Sequence, residues 1–138
     1  MLKKFVILQF VSSLSLSAQA FDCKPRSLRG VPTAVIEGRF FEQDSSNRGP
    51  LRTITAGIRL ALFDDRGRAV LEAKGFRLPG RAQVTQHAIE ATFGDRDWTF
   101  DLFLYYTERE LQQSGGALTS HVVDWRTGVR YYTECLAR

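Results

Sequence analysis

Residues 51–63 read LRTITAGIRLALF. Ile54, Ala56, Ile58, Leu60 and Leu62 share one parity, and Thr53, Thr55 and Arg59 take the other. A helix with this spacing would scatter the five apolar groups around its circumference, whereas a strand lines them along one face. The stretch therefore predicts a half-buried β-strand, and the segments on either side repeat its signal. In residues 33–43 (TAVIEGRFFEQ), Ala34, Ile36, Gly38 and Phe40 oppose Glu37 and Arg39. In residues 98–106 (WTFDLFLYY), Trp98, Phe100, Leu102, Leu104 and Tyr106 oppose Thr99, Asp101, Phe103 and Tyr105.

Turn chemistry separates these runs. Residues 44–50 form a polar loop ending in Gly49-Pro50, and Asp64-Asp65-Arg66-Gly67 is a compact hairpin turn with Gly at a positive φ. Pro79-Gly80-Arg81, residues 94–97 and Arg126-Thr127-Gly128 read as further turns. Two strands change parity midway, which predicts a β-bulge at Gly75 and another near Gln86-His87. Thr107 and Glu110 fit a capping box, with Gly115-Gly116 as the stop, so one or two helical turns interrupt the strands there.

Seven strands follow, at residues 33–43, 51–63, 68–78, 82–93, 98–106, 117–125 and 129–137, and the segment before Thr33 can add an eighth. Short connections favour antiparallel neighbours, and long bulged strands favour curling. The expected fold is all-β: an antiparallel meander of seven or eight strands in an up-and-down, barrel-like form, with a two-sheet sandwich as the alternative.

The chain opens Met1-Leu2-Lys3-Lys4, continues with the apolar run FVILQFV, and reaches Ala18-Gln19-Ala20. This order reads as a secretory signal over residues 1–20, leaving a single β domain over 21–138 that is periplasmic or secreted and soluble after cleavage. The apolar run is shorter than the roughly 20 residues a spanning helix requires. Cys23 also lacks the Leu-x-x-Cys context of a lipoprotein cysteine. Cys23 and Cys135 are the chain's two cysteines, and in an exported protein they are expected to pair. Their loop would enclose nearly the whole domain, nominally worth about 4.7 kcal/mol in a chain-entropy account. In a closed meander the first and last strands are neighbours, so this pair would bridge the closing seam.

Removing Lys3 and Lys4 from 19 basic residues leaves 17 against 15 acidic ones, a net charge of +2. That near balance argues against nucleic acid as a partner. An outer-membrane barrel is disfavoured by a terminal Arg138 and by the lack of aromatic girdles.

Catalytic and metal signatures are missing from the sequence. His87 and His121 fall within predicted strands, without G-x-S-x-G, H-x-H or H-E-x-x-H. Glu37, Glu90, Asp101 and Glu134 are the strand carboxylates a glycoside hydrolase would draw on, and nothing singles out a pair. Asp64, Asp65, Asp95 and Asp97 lack the order of a calcium loop. The aromatics concentrated in the C-terminal half read as core filling. No cofactor, metal, catalytic residue or ligand-binding residue is assigned.

The function expected is that of an exported non-enzymatic β-domain protein. It would hold a small apolar ligand in a barrel or engage a protein partner through loops and one open face. The alternative is a protease-type hydrolase inhibitor on a rigid β scaffold, with residues 44–50 or 107–116 as its reactive element.

Overall fold

A computed structural model describes residues 16–42, 49–115 and 119–138. Eight strands succeed one another: β1 (Ala20–Lys24), β2 (Thr33–Glu42), β3 (Leu51–Phe63), β4 (Ala69–Val84), β5 (Ala88–Gly94), β6 (Trp98–Tyr105), β7 (Ser120–Asp124) and β8 (Val129–Ala137). Each pairs antiparallel with the next, and β8 pairs antiparallel with β1, closing a barrel. A short helix, α1 (Glu108–Gln113), lies between β6 and β7. The meander expected from the short connections is thus the fold, closed rather than split into two sheets. The eighth strand comes from the segment before Thr33.

Closure depends on β8, because β1 and β7 are only five residues long. The first part of β8 pairs with β7 (Val129 opposite Asp124) and touches β2 at Tyr132 opposite Thr33. Its last part pairs with β1 on one side and, beyond the end of β7, with β6 on the other. Cys23 stands directly opposite Cys135 in this seam, with Cα atoms 4.0 Å apart and sulfurs 2.03 Å apart.

The two-residue period decides what enters the barrel. Ile54, Ala56, Ile58, Leu60 and Leu62 of β3 are all buried, as are Ala34, Ile36 and Phe40 of β2 and Trp98, Phe100, Leu102 and Leu104 of β6. Phe21 stacks on Phe40 with centroids 4.7 Å apart, and Phe93 stacks on Phe100 at 4.8 Å. Phe76 packs edge-on against Trp98 at 5.3 Å. Rings this close exchange dispersion and quadrupole attraction beyond their area burial, and together they occupy the barrel's interior.

Arg52 also points inward and is 1% exposed, a position the sequence pattern did not mark. Its Nη1 donates to Glu42 Oε1 at 3.0 Å and its Nε to the Gly49 carbonyl. The same carboxylate oxygen accepts the Leu16 N–H, so the buried guanidinium and carboxylate are mutually compensated.

Three local expectations are corrected. Pro79-Gly80-Arg81 is not a turn: β4 runs through it for 16 residues in all. Pro79 lacks an N–H to donate, and it sits just ahead of Gly80, where pairing with β5 begins. The turn instead occupies residues 85–87, where Thr85 Oγ1 accepts the N–H groups of His87 at 3.3 Å and Ala88 at 3.1 Å. A reversal of the chain, rather than a bulge, therefore explains the parity change near Gln86-His87, and His87 lies outside any strand. Finally, the β4 bulge falls before Gly75. Leu60 pairs with Lys74 and Leu62 with Leu71, so one extra residue is accommodated between them, and Ala73 takes φ 27°.

Residues 69–79 of β4 have β3 as their paired neighbour, since β5 pairs only with residues 80–84. This edge carries Lys74, Pro79 and two register shifts, which protect an open strand from pairing with another chain. Other local expectations match. Gly67 takes φ 80° in the hairpin turn, and Thr107 Oγ1 accepts the Glu110 N–H at 3.1 Å to cap α1.

Two stability predictions follow from this geometry. Replacing both cysteines by serine should lower the unfolding free energy by about 2–5 kcal/mol in urea titrations, with the barrel's far-ultraviolet spectrum retained. At Gly80, a Cβ would meet the Thr92 carbonyl oxygen at 2.2 Å and Phe93 Cα at 2.5 Å. At Gly75, nothing lies nearer than the Ile58 oxygen at 3.9 Å. Gly80→Ala should therefore cost about 1–3 kcal/mol, while Gly75→Ala should stay within about 0.5 kcal/mol of the parent.

Candidate functional site: an arginine-lined trough outside the barrel

The register of β1 to β4 builds a trough on the barrel's outer face. One outward row runs Ala20, Arg39, Gly57 and Arg77 across the four strands. The adjacent row runs Asp22, Glu37, Arg59 and Gly75. Two glycines thus stand where outward side chains would fill the surface, and charged side chains surround them. The result is a cavity of about 1000 Å³ with Arg39, Arg59, Arg77 and Arg138 in its lining.

The walls differ in how their charges are satisfied. Arg138 donates to Asp22, and this pairing, reinforced by Glu37 nearby, raises the guanidinium's pKa further. Arg39 Nη1 donates to the Ala18 carbonyl at 3.1 Å. Arg77 lies over the exposed Phe41 ring, 5.1 Å from its centroid, a cation–π contact that fixes the side chain without neutralising it. Phe41 in turn covers Gly57, whose Cβ would approach its ring to 3.3 Å. Among the described residues, no carboxylate comes within 4.0 Å of the Arg59 or Arg77 guanidinium. Arg59 stands opposite Glu37 in the register without reaching ion-pair distance.

A second feature lies at the end of the barrel that carries the β7–β8 turn. Trp125 is 57% exposed, yet its indole N–H donates to Thr99 Oγ1 at 2.8 Å and its backbone N–H to Asp97 at 2.9 Å. The neighbouring Asp124 carboxylate is buried and accepts from Arg126 through the backbone N–H, Nε and Nη2. Burial opposes the charge, but the Arg126 hydrogen bonds outweigh it and hold the carboxyl below its usual pKa.

The strand carboxylates do not share one cleft. Glu37 faces the trough. Glu90 and Asp101 lie on β5 and β6, where Asp101 Oδ1 accepts from Thr92 Oγ1 at 3.5 Å. Glu134 is 6% exposed and fully occupied: it accepts the Ser27 N–H at 2.6 Å and the Ser27 hydroxyl at 2.7 Å. It therefore pins the segment between β1 and β2. Arg26 completes that anchor by donating to the Glu134 carbonyl at 2.6 Å and to Glu108 of α1 at 3.2 Å. His121 sits opposite Asp101 on β7, with its ring 6.5 Å from Tyr132. Exposed His87 lies 3.9 Å from the Glu110 carboxylate. No group of three or more metal-ligating side chains occurs among the described residues.

Of the two segments considered as reactive elements, residues 44–48 lie outside the described residues. Segment 107–116, as far as Gly115, is tied down by its cap and by Leu111, which is buried. No family model, no curated protein and no solved structure matches this chain.

The depressed Asp124 pKa fixes a direction with pH. A lowered folded pKa contributes stability above the unfolded carboxylate value near 3.9, and that contribution disappears as pH falls through the lower folded value. Asp124→Asn should therefore destabilise the protein by about 1 kcal/mol at pH 7 and by less at pH 2. Urea titrations of both proteins at the two pH values measure the difference.

Proposed function

We propose that this chain is an exported, non-enzymatic protein that binds a protein partner on the outside of its barrel. Export is supported by the order of residues 1–20 and by the cysteines meeting at bonding distance, an arrangement suited to an oxidising compartment. Among the described residues no helix is long and apolar enough to cross a membrane. The outward face carries Glu37, Arg59, Arg77, Glu90 and Asp101 within its strands, while the inward face is mainly apolar, with the Arg52–Glu42 pair at one end. A bilayer-spanning barrel needs the inverse arrangement.

The observation that carries the choice of partner is where the space lies. A barrel that carries a small apolar ligand keeps room inside for it. Here Phe21, Phe40, Phe93 and Phe100 are each no more than 2% exposed and stack within the interior, whereas the open trough carries the outward side chains Glu37, Arg39, Arg59 and Arg77 in its lining. A rigid outer surface with arginine and aromatic anchors is the composition of protein-binding patches. Inhibition of a hydrolase is one form such binding can take.

Native mass spectrometry of the protein purified from its own host tests this reading. The expected result is a non-covalent complex with another protein, with no small molecule retained by the barrel. A stoichiometric lipid or other apolar molecule that survives desalting would overturn it in favour of an interior ligand.

A further inference from the structure

We infer that the trough across β1 to β4 is the docking site for an extended, acidic segment of the partner protein. This rests on the outer-surface reading above and adds to it the place and the chemistry.

Charge comes first. Four of the chain's arginines surround one cavity. Arg59 and Arg77 have no carboxylate in ion-pair range among the described residues, and Arg77 is held in place by Phe41. Guanidinium groups bind carboxylates bidentately, so Arg77, held by Phe41, is a pre-arranged donor and Arg59 a second one, neither with a carboxylate acceptor among the described residues. Shape comes second. With Gly75 in its lining and nothing nearer than the Ile58 oxygen at 3.9 Å from a Cβ placed there, the trough lets a partner backbone approach β4 more closely than a continuous row of side chains would allow, beside the Phe41 ring that covers Gly57.

Spacing then favours a peptide. Arg39 and Arg77 are two strands apart, about 10 Å, and Arg59 is offset along β3 by about 7 Å. Carboxylates two or three residues apart on an extended chain span about 7–10 Å. The acidic residues in the trough select the class of macromolecule. Glu37 lies between Asp22 and Arg59 in the row, and the cavity lining includes both carboxylates. A uniformly charged polyanion, such as a sulfated glycan or a nucleic acid, would be pressed against them. A peptide can place its carboxylates on the arginines and its own N–H groups beside Glu37.

The test uses the full disulfide-bonded protein and synthetic ten-residue peptides, one with glutamate at alternate positions and one with glutamine in its place. Binding is followed by chemical-shift changes at Gly57 and Gly75 and by isothermal titration. The glutamate peptide should shift both glycines and bind at least ten-fold more tightly than the glutamine peptide, with affinity falling as salt rises. Arg59→Ala with Arg77→Ala should weaken binding at least ten-fold. Gly75→Val fills the trough at a site with room for a side chain and should do the same in a folded barrel. Arg68→Ala, in the β3–β4 turn region outside the trough, should leave binding unchanged.

Equal binding of the two peptides overturns the inference, as does glutamate-peptide binding that survives both trough variants. A sulfated oligosaccharide that binds the trough more tightly than the peptide overturns the assignment to a protein segment. If instead the host partner is retained by the trough variants in native mass spectrometry, the trough proposal fails while the outer-surface reading stands.

Discussion

The β1–β8 seam is the interaction on which the rest of this barrel depends. Six of the seven sequential pairings join strands connected by hairpins or short loops, and the β6–β7 connection adds only a short helix. Such pairings need little more than local chain entropy to form. The eighth pairing joins residues over a hundred positions apart, through a five-residue strand. A short strand supplies few ladder hydrogen bonds, so the cost of bringing the ends together falls on a small contact. The Cys23–Cys135 bond removes most of that cost by limiting the unfolded chain. The buried Glu134 adds a further anchor by fixing Ser27 just beyond β1. Both devices sit where β8 exchanges its neighbours, with β7 and β2 on one half and β6 and β1 on the other.

Once the seam is closed, the barrel has two surfaces with opposite tasks. The inward one is filled by aromatic and branched side chains, and its fit depends on the absence of side chains elsewhere. A Cβ at Gly38 would lie 2.4 Å from the Phe21 ring, so the stacking of Phe21 on Phe40 relies on that glycine. The outward surface is free of this packing demand. Its residues can vary without emptying the core, and arginines, glycines and one exposed phenylalanine combine there into a recess. A rigid interior and a variable exterior suit recognition by preformed surface, because little conformational freedom is lost on binding.

Much of this was legible in the sequence, and the reason is the period of two. The inward sets on β2, β3 and β6 follow directly from parity, and the closure of the ends follows from the two cysteines of a chain expected to be exported. What parity alone misplaced was the interruption of strands. Pro79-Gly80 has the composition of a turn, but Gly80 is present because β5 packs against its Cα, and only the tertiary contact distinguishes the two cases. Arg52 was equally hidden: it obeys the inward parity of Ile54 and Ala56, yet its charge suggested solvent. Its partner, Glu42, lies at the other end of the β2–β3 hairpin loop. The trough could not be read along the chain, since its members are about 20 residues apart and meet only through register.

That register is set by the β4 bulge. From Leu71, which pairs with inward Leu62, strict alternation would carry Ala73, Gly75 and Arg77 toward the interior. The extra residue accommodated at Ala73 exchanges the faces, because side chains alternate with a period of two. Phe76 then enters the core against Trp98 and Phe100, while Gly75 and Arg77 turn outward. Without the shift, a guanidinium would face the aromatic cluster and the outer recess would lose its lining on β4. The parity change near Gly75, visible in the sequence as a defect in the pattern, is thus the feature that completes the core on one side of the sheet and aims Arg77 across Gly57 on the other.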